Sequence, residues 1–250
     1  MNGFKKKIRI DQLLVIRKMA ENRQRAKALI LAGKIFVNDE RADKAGSLVH
    51  PDSRIRIYGT DMAYVSRGGI KLEAALDAYN VNVDGMICLD VGASTGGFSD
   101  CLLQRGAKQV LAVDVGYGQL AWKLRQDPRV VVIERSNIRY LPENALPFPV
   151  DLVTIDVSFI SLKIVVPAVV KFMKLDAGIM ALVKPQFEVG KESVGKGGVV
   201  KDGSLHRKVL DELADFFSKQ NLHSKPAIPS PILGPKGNKE FFLFIHQAEI

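Results

Sequence analysis

The sequence predicts an α/β protein in which a doubly wound, mostly parallel sheet of seven strands follows a small basic α+β unit. Three observations carry that expectation. Residues Ile87 to Asp100 read ICLDVGASTGGFSD, an apolar run ending in Asp90, then a glycine loop, then a helix-forming segment. Apolar runs at 86–90, 109–114, 130–134, 151–156 and 178–184 alternate with helical segments at 97–105, 118–126 and 162–173. Such alternation means parallel strands joined by crossover helices. Positive charge, finally, is gathered at the start of the chain. Residues 1–60 hold 14 Lys and Arg against 6 Asp and Glu, whereas residues 61–250 hold 22 against 21.

The length of 250 residues leaves room for one full α/β domain and a smaller one, and a composition 47% apolar and 25% charged is that of a well-cored globular chain. The net charge of +9, concentrated as it is, suits a first unit that meets a polyanion. Two cysteines, Cys88 in a strand and Cys101 in the next helix, make no disulfide framework, and four scattered histidines show no ligand spacing. No structural metal is expected. Lys5, Lys6 and Lys7 precede Arg9 and Asp11 rather than an apolar run, which does not read as a secretion signal. Asp156 and Lys163 interrupt the best apolar stretch, so no membrane span is expected and the location is read as cytoplasmic.

In order along the chain, Asp11 is expected to cap a helix that turns Leu13, Leu14 and Ile16 inward and ends near Met19. Asn22 caps a second helix with Ala26, Leu29 and Ile30 on its apolar face and Arg23 and Lys27 on its polar one. Gly33 stops it. Ile35 to Val37, a turn at Asn38-Asp39 and a strand from Arg54 to Tyr58 suggest a small sheet. After a hinge, a helix carrying Leu72, Ala75 and Leu76 leads into the main sheet, which a helix at 204–219 and strands near 225–229 and 240–246 complete.

The glycine loop does not fit the dinucleotide form G-x-G-x-x-G, and no G-K-[ST] follows to make a P-loop. Its spacing is D-x-G-x-x-x-G, through Asp90, Gly92 and Gly96, with Ser94 and Gly97 in the same turn. Glycines let backbone pass close beneath a ligand. Asp114 ends the second strand 24 residues after Asp90, where nucleoside-binding sheets accept hydrogen bonds from ribose. Asn137 follows the third strand and is expected to meet a base. Asp156 and Lys184 follow the fourth and fifth, so all face one crevice.

The loop resembles the first motif of S-adenosylmethionine-dependent methyltransferases, which implies that cofactor and a Rossmann-like methyltransferase sheet. Residues 8–60 resemble the RNA-binding domain named after ribosomal protein S-four, through Arg9-Ile10-Asp11, Arg23 to Lys27, Gly33 to Asn38 and Asp52 to Arg56. Arg9, Arg17, Arg23, Arg25, Lys27, Lys34 and Arg67 are the expected RNA contacts. Few aromatics accompany them, which favours recognition of shape and backbone. No Asn/Asp-Pro-Pro-Tyr motif follows the fourth strand, where Asp156-Val157-Ser158-Phe159 stands instead, and no cysteine lies there as a nucleophile. Lys71, Asp156, Lys184 and Glu240 resemble the Lys-Asp-Lys-Glu tetrad of ribose 2′-O-methyltransferases of the FtsJ type. That implies Lys184 as base, made competent by a neighbouring lysine and a dry cleft, with Asp156 orienting it and Lys71 and Glu240 in support.

The order of the units and YVSRGGIKL at their junction resemble the TlyA family over the full length, with residues 1–59 as RNA-binding domain, 60–63 as linker and 64–250 as methyltransferase domain. The resemblance implies a cytidine 2′-O-methyltransferase acting on ribosomal RNA or ribosomal subunits. Ala63-Tyr64 replaces a tryptophan-containing linker form. Family members also carry haemolysin names, but no membrane partner is expected. A non-catalytic RNA-binding or assembly factor and a membrane-active haemolysin are the alternatives. A pseudouridine synthase would not need the glycine loop. The oligomeric state is open. Residues 185–203, rich in Gly and Lys, are expected to form a mobile loop that closes on RNA, or else a plain surface connection.

Overall fold

A buried carboxylate organises the first of two units, residues 1–61 and 62–250, into which the chain divides. The computed structural model describes residues 7–57, 63–195 and 197–247. Lys5, Lys6, Tyr58, residues 60–62 of the expected linker and Lys196 lie outside them.

In the first unit β1 (Ile8–Arg9) leads directly into α1 (Ile10–Ile16). Asp11 does not cap that helix. The N-cap is Arg9, without a side-chain bond, and Asp11 sits in the first turn with no exposed surface. Arg9 donates to both its carboxylate oxygens at 3.0 Å, and Arg23 donates to Oδ2 at 3.0 Å. The helix ends at Ile16, which is 64% exposed rather than inward, because Lys18 turns left-handed at φ 57°. In α2 (Arg23–Leu31) Asn22 Oδ1 accepts from Arg25 N at 2.9 Å, as expected, and Ala26, Leu29 and Ile30 are buried. Gly33, at φ +68°, lets the chain leave the helix. It enters β2 (Ile35–Val37), which pairs antiparallel with β3 (Glu40–Arg41) across the left-handed pair Asn38-Asp39. β4 (Leu48–Val49) pairs with β1 and β5 (Ile55–Ile57) with β2. Ile10, Leu14, Ala26, Ile30 and Ile35 form the core of this unit.

The second unit opens with α3 (Gly68–Tyr79) and β6 (Ile87–Val91). Then follow α4 (Gly97–Gln104), β7 (Gln109–Val113), α5 (Trp122–Arg125), β8 (Val130–Ile133), β9 (Val150–Ile155) and α6 (Leu162–Val170). β10 (Met173–Val183), α7 (Gly203–Ser218), β11 (Leu222–Ser224), β12 (Ile228–Pro229) and β13 (Phe241–Gln247) complete it. Seven strands lie in the order β11-β13-β10-β9-β6-β7-β8, with β12 added beside β13. The five from β10 to β8 are parallel, and β13 runs antiparallel between β10 and β11. Sequence order reverses between β6 and β9, which opens a crevice at their C-terminal ends.

One face of the sheet packs against Val165, Val169, Leu213 and Phe217 of α6 and α7; the other packs against Leu72, Leu76, Phe98 and Leu102 of α3 and α4. Cys88 and Cys101 are free and buried in this core, and burial pushes both thiols up to about 12.

Three expected elements differ. The helix at 118–126 is one turn, because Gly116 and Gly118 precede it and Gly118 is left-handed. Of the strand expected near 225–229 only Ile228–Pro229 forms, as β12, while β11 comes earlier at Leu222–Ser224, and Pro226 between them has no N–H to offer a ladder. The last residue of the helix at 162–173 belongs to β10, where Met173 pairs with Val150 ahead of a bulge.

Candidate active site

β6 delivers Asp90 to the crevice floor, not to its surface. The carboxylate has no exposed area; Ser99 Oγ donates to Oδ2 at 2.6 Å and Thr154 Oγ1 to Oδ1 at 3.1 Å. Asp90 thereby ties β6 to α4 and β9, and burial pushes its carboxyl up to about 6. That value lies above the unfolded carboxyl at about 3.9, so this group's contribution to stability falls as pH rises between the two. In a 13C spectrum of the labelled protein the Asp90 carboxyl carbon should titrate near pH 6. A midpoint near ~4 would mean that water reaches it.

The glycines answer to the protein's own packing as much as to any ligand. Gly92 is at φ +85° and a Cβ there would come 2.6 Å from the Asp156 carbonyl oxygen. At Gly96, φ +96°, a Cβ would strike Leu124 Cδ1 at 2.2 Å, and at Gly97 it would strike Ser66 Oγ at 2.1 Å. Ser94 holds the turn by donating its N–H to Asp114 Oδ2 at 2.8 Å, while Asp114 Oδ1 accepts from Gly116 N at 2.6 Å.

Beside this loop lies a cleft of about 800 Å³, lined by Gly92, Asp114, Gln119, Asn137, Asp156 and Phe159 among others. Four expected cofactor residues, Gly92, Asp114, Asn137 and Asp156, therefore border open space. Asp90, Ser94, Gly96 and Gly97 shape the loop instead of lining the cleft. Asn137 Oδ1 accepts from Arg139 N at 3.1 Å.

The tetrad residues occur as two ion pairs at the same sheet edge. Asp156 follows β9 and Lys184 follows β10. Lys184 Nζ lies 2.6 Å from Asp156 Oδ1 and donates to Ser158 Oγ at 3.1 Å. The first contact is electrostatic rather than an aligned hydrogen bond, and Asp156 Oδ1 is otherwise without a partner. Glu240 stands just before β13, one step beyond the Val183–Phe241 pair of the β10–β13 ladder, which brings it opposite Lys184. Lys71 on α3 donates to Glu240 Oε2 at 2.5 Å. Only 8% of Lys71, 9% of Lys184 and 2% of Glu240 is exposed. The Tyr79 hydroxyl seats the lysine-bearing helix by donating to the Phe242 carbonyl at 2.8 Å.

The arrangement includes a residue that sequence reasoning used only for an exclusion. Phe159 has φ 63° and is 89% exposed, and its ring lies 4.8 Å from that of Phe187. A left-handed, solvent-facing phenylalanine is strained and points to function. Glu188 clasps the same turn: Ser161 Oγ donates to Oε2 at 2.6 Å and Leu162 N to Oε1 at 2.8 Å. Burial pushes the Glu188 carboxyl up. The segment 185–203 is less loose than its composition suggests, with 3-10 turns at Pro185–Phe187 and Lys191–Ser193 and a bridge between Gly195 and Val199.

The expected RNA contacts divide by what else they do. Arg9 and Arg23 hold Asp11, and Arg17 donates to the carbonyls of Ser53, at 2.7 Å, and Pro51. Lys27 is exposed on α2, whereas Arg25 and Lys34 are half-buried. In the second unit Arg67 is exposed just ahead of α3. Among the described residues no cluster of three or more His, Cys, Asp or Glu could hold a metal, and no helix is long and apolar enough to cross a membrane.

Residues 64–247 match the family described as FtsJ-like methyltransferase, and residues 8–55 match the S4 domain. A Bacillus subtilis relative named as an rRNA methyltransferase is 50% identical over 242 residues, covering 96% of this chain and 86% of its own. The 16S/23S rRNA (cytidine-2′-O)-methyltransferase TlyA of Mycobacterium tuberculosis is 48% identical over 241 residues, covering 96% of this chain and 90% of its own. A solved structure of a haemolysin-named chain from Streptococcus thermophilus is 43% identical with a TM-score of 0.76, covering 98% of this chain and 90% of that one.

Proposed function

The chain belongs to the FtsJ-like methyltransferases and, among them, to the TlyA family, and from that premise we propose that it methylates the 2′-hydroxyl of cytidine in ribosomal RNA. The observation that carries the reading is the Lys184–Asp156 pair at the edge of the cleft, with the buried Lys71–Glu240 pair across one ladder step. The relatives' names supply the nucleotide and the RNA.

The cleft suits S-adenosylmethionine in size and chemistry. Asp114 is a carboxylate for ribose hydroxyls, Asn137 an amide for adenine, and Asp156 Oδ1 a buried acceptor at the near end. That cofactor supplies an electrophilic methyl whose leaving group departs uncharged, so no acid is needed. The protein's work is to orient and deprotonate the attacking hydroxyl. Lys184 takes the proton, Asp156 and Ser158 fix its amine, and Lys71 with Glu240 sets the charge beside it.

Phe159 offers a face on which a base can stack. Because stacking on an aromatic ring is worth about 1–3 kcal/mol per base, Phe159→Ala should lower kcat/KM for RNA by about 10- to 100-fold. Donor affinity should hold, and an unchanged kcat/KM would remove Phe159 from the substrate site. Residues 1–59 are proposed as the RNA-gripping domain, 60–63 as linker and 64–250 as the catalytic domain, working in the cytoplasm where ribosomes are made. The loop 185–203 closes over the RNA.

The direct experiment transfers labelled methyl from S-adenosylmethionine to purified ribosomal subunits and digests the product with alkali. An alkali-resistant dinucleotide containing cytidine is expected. Donor binding without transfer to either subunit would overturn the ribosomal substrate, and no donor binding would overturn the enzyme.

A further inference from the structure

We propose that Asn238 is the positioning residue for Glu240: it fastens the glycine-rich turn of residues 197–200 to the segment entering β13, so that the seating of this turn sets the Lys71–Glu240 pair. The proposal rests on the methyl-transfer reading above and gives the loop a route to the catalytic groups.

Asn238 is 3% exposed. Its side-chain Nδ2 donates to the carbonyls of Gly198, at 3.0 Å, and Pro235, at 3.2 Å, and its Oδ1 accepts from Val200 N at 3.1 Å. Its own carbonyl accepts from Gly234 N at 2.9 Å. One short amide thus meets a carbonyl and an N–H of the loop at once, which needs donor and acceptor on a single side chain.

The connection to Glu240 is equally tight. Gly234 is the surface on which the Glu240 carboxylate rests, since a Cβ there would lie 2.0 Å from Oε1. The Glu240 carbonyl accepts from Ser230 N at 2.8 Å, while its Oε2 holds Lys71. Movement of Asn238 therefore moves both the backbone two residues before Glu240 and the glycine beneath its carboxylate.

The described residues of this loop are tied to one another. Gly195 N donates to the Val199 carbonyl at 3.2 Å, Gly198 N donates to the Gly195 carbonyl at 3.0 Å, and Gly197 and Gly198 are both left-handed. A second tether comes from α7, where His206 Nε2 lies 2.9 Å from the Val200 carbonyl and the His206 ring packs 5.5 Å from Phe241, the residue after Glu240. Both tethers run from the loop to the entry of β13. Asn238 does not line the donor cleft.

Asn238→Asp removes the two Nδ2 bonds and sets an acceptor against two carbonyls; Asn238→Ser keeps a small polar group. In the full chain, both variants should bind S-adenosylmethionine within about twofold of the parent while kcat falls at least about tenfold, more for Asp than for Ser. In a Glu240→Gln background the further loss should be below about twofold, because both substitutions act through one carboxylate. Independent, multiplying losses, or donor affinity falling in step with kcat, would overturn the proposal. A readout free of activity is amide hydrogen exchange: Asn238→Asp should speed exchange at Gly234, Val200 and Ser230 and leave α4 unchanged. Unchanged exchange at Gly234 and Ser230 would also overturn it. If the parent transfers no methyl to RNA, the methyl-transfer reading fails, and the exchange result still decides whether Asn238 holds Glu240's segment.

Discussion

Replacement of Lys184 by alanine is expected to lower the single-turnover rate of methyl transfer by about 10³-fold, within the usual range for a lost general base. Donor affinity, read by calorimetry, should change little, because the cleft is lined by other residues. Lys184 Nζ touches Asp156 Oδ1 and Ser158 Oγ, both acceptors, so the amine is held in place before RNA arrives. To serve as base it must first hand a proton to Asp156 or solvent. Lys184→Arg separates this role from a purely electrostatic one. A guanidinium keeps the charge but does not deprotonate in proteins, so the arginine variant should be as inactive as the alanine one. An active arginine variant would make residue 184 an electrostatic clamp and return the search for the base to Asp156.

Removing the Asp11 carboxylate should destabilise the first unit on the scale of a large-to-small truncation in its small core. Asp11→Ala leaves Arg9 and Arg23 facing each other across the space the carboxylate occupied. Breaking a buried pair typically costs about 3–5 kcal/mol, and the half-exposed arginines reduce that here to about 2–3 kcal/mol. The pH dependence has a definite sign. The Arg9 guanidinium beside Asp11 holds its carboxyl well below the usual carboxylate range, so the contribution is present above the unfolded value of about 3.9 and is lost as pH falls. In the full chain, denaturant unfolding followed by proteolysis within residues 7–57 should show Asp11→Asn destabilised at pH 7 and closer to the parent at low pH. Equal destabilisation at both would mean that packing, not charge, is what Asp11 supplies. RNA affinity should fall with the variant's folded fraction, since the RNA-gripping role proposed for this unit depends on its fold.

What the sequence could disclose follows from the range over which each signal acts. Parallel alternation, the glycine loop and the strand-end positions of Asp114, Asp156 and Lys184 were readable because the doubly wound topology turns position along the chain into position around one crevice. Asp11 was misread because capping is a local rule. Its partner Arg23 lies 12 residues ahead, and nothing local distinguishes a cap from an ion-pair anchor. The glycines were placed well but explained too narrowly: the atoms that exclude a Cβ at Gly96 belong to Leu124, and at Gly97 to Ser66. Phe159 served only to exclude a motif because exposure and a left-handed φ are properties of the folded chain. Asn238 carries no motif at all; its three side-chain bonds come from two backbone turns that meet only in the fold.

The separation between Lys71 and Glu240, 169 residues along the chain, fixes when the enzyme can first exist. A ribosome adding about 5–20 residues per second needs many seconds to travel from one to the other. During that interval the loop around Asp90 and the strands from β6 to β10 can assemble, but the slot for β13 between β10 and β11 stands empty and Lys71 has no counter-charge. A nascent chain whose first unit has already folded therefore still lacks the Lys71–Glu240 pair until β13 has entered the sheet. For an enzyme proposed to act on ribosomal RNA, whose own synthesis surrounds it with that RNA, the late strand delays methyl transfer and not the grip of the first unit.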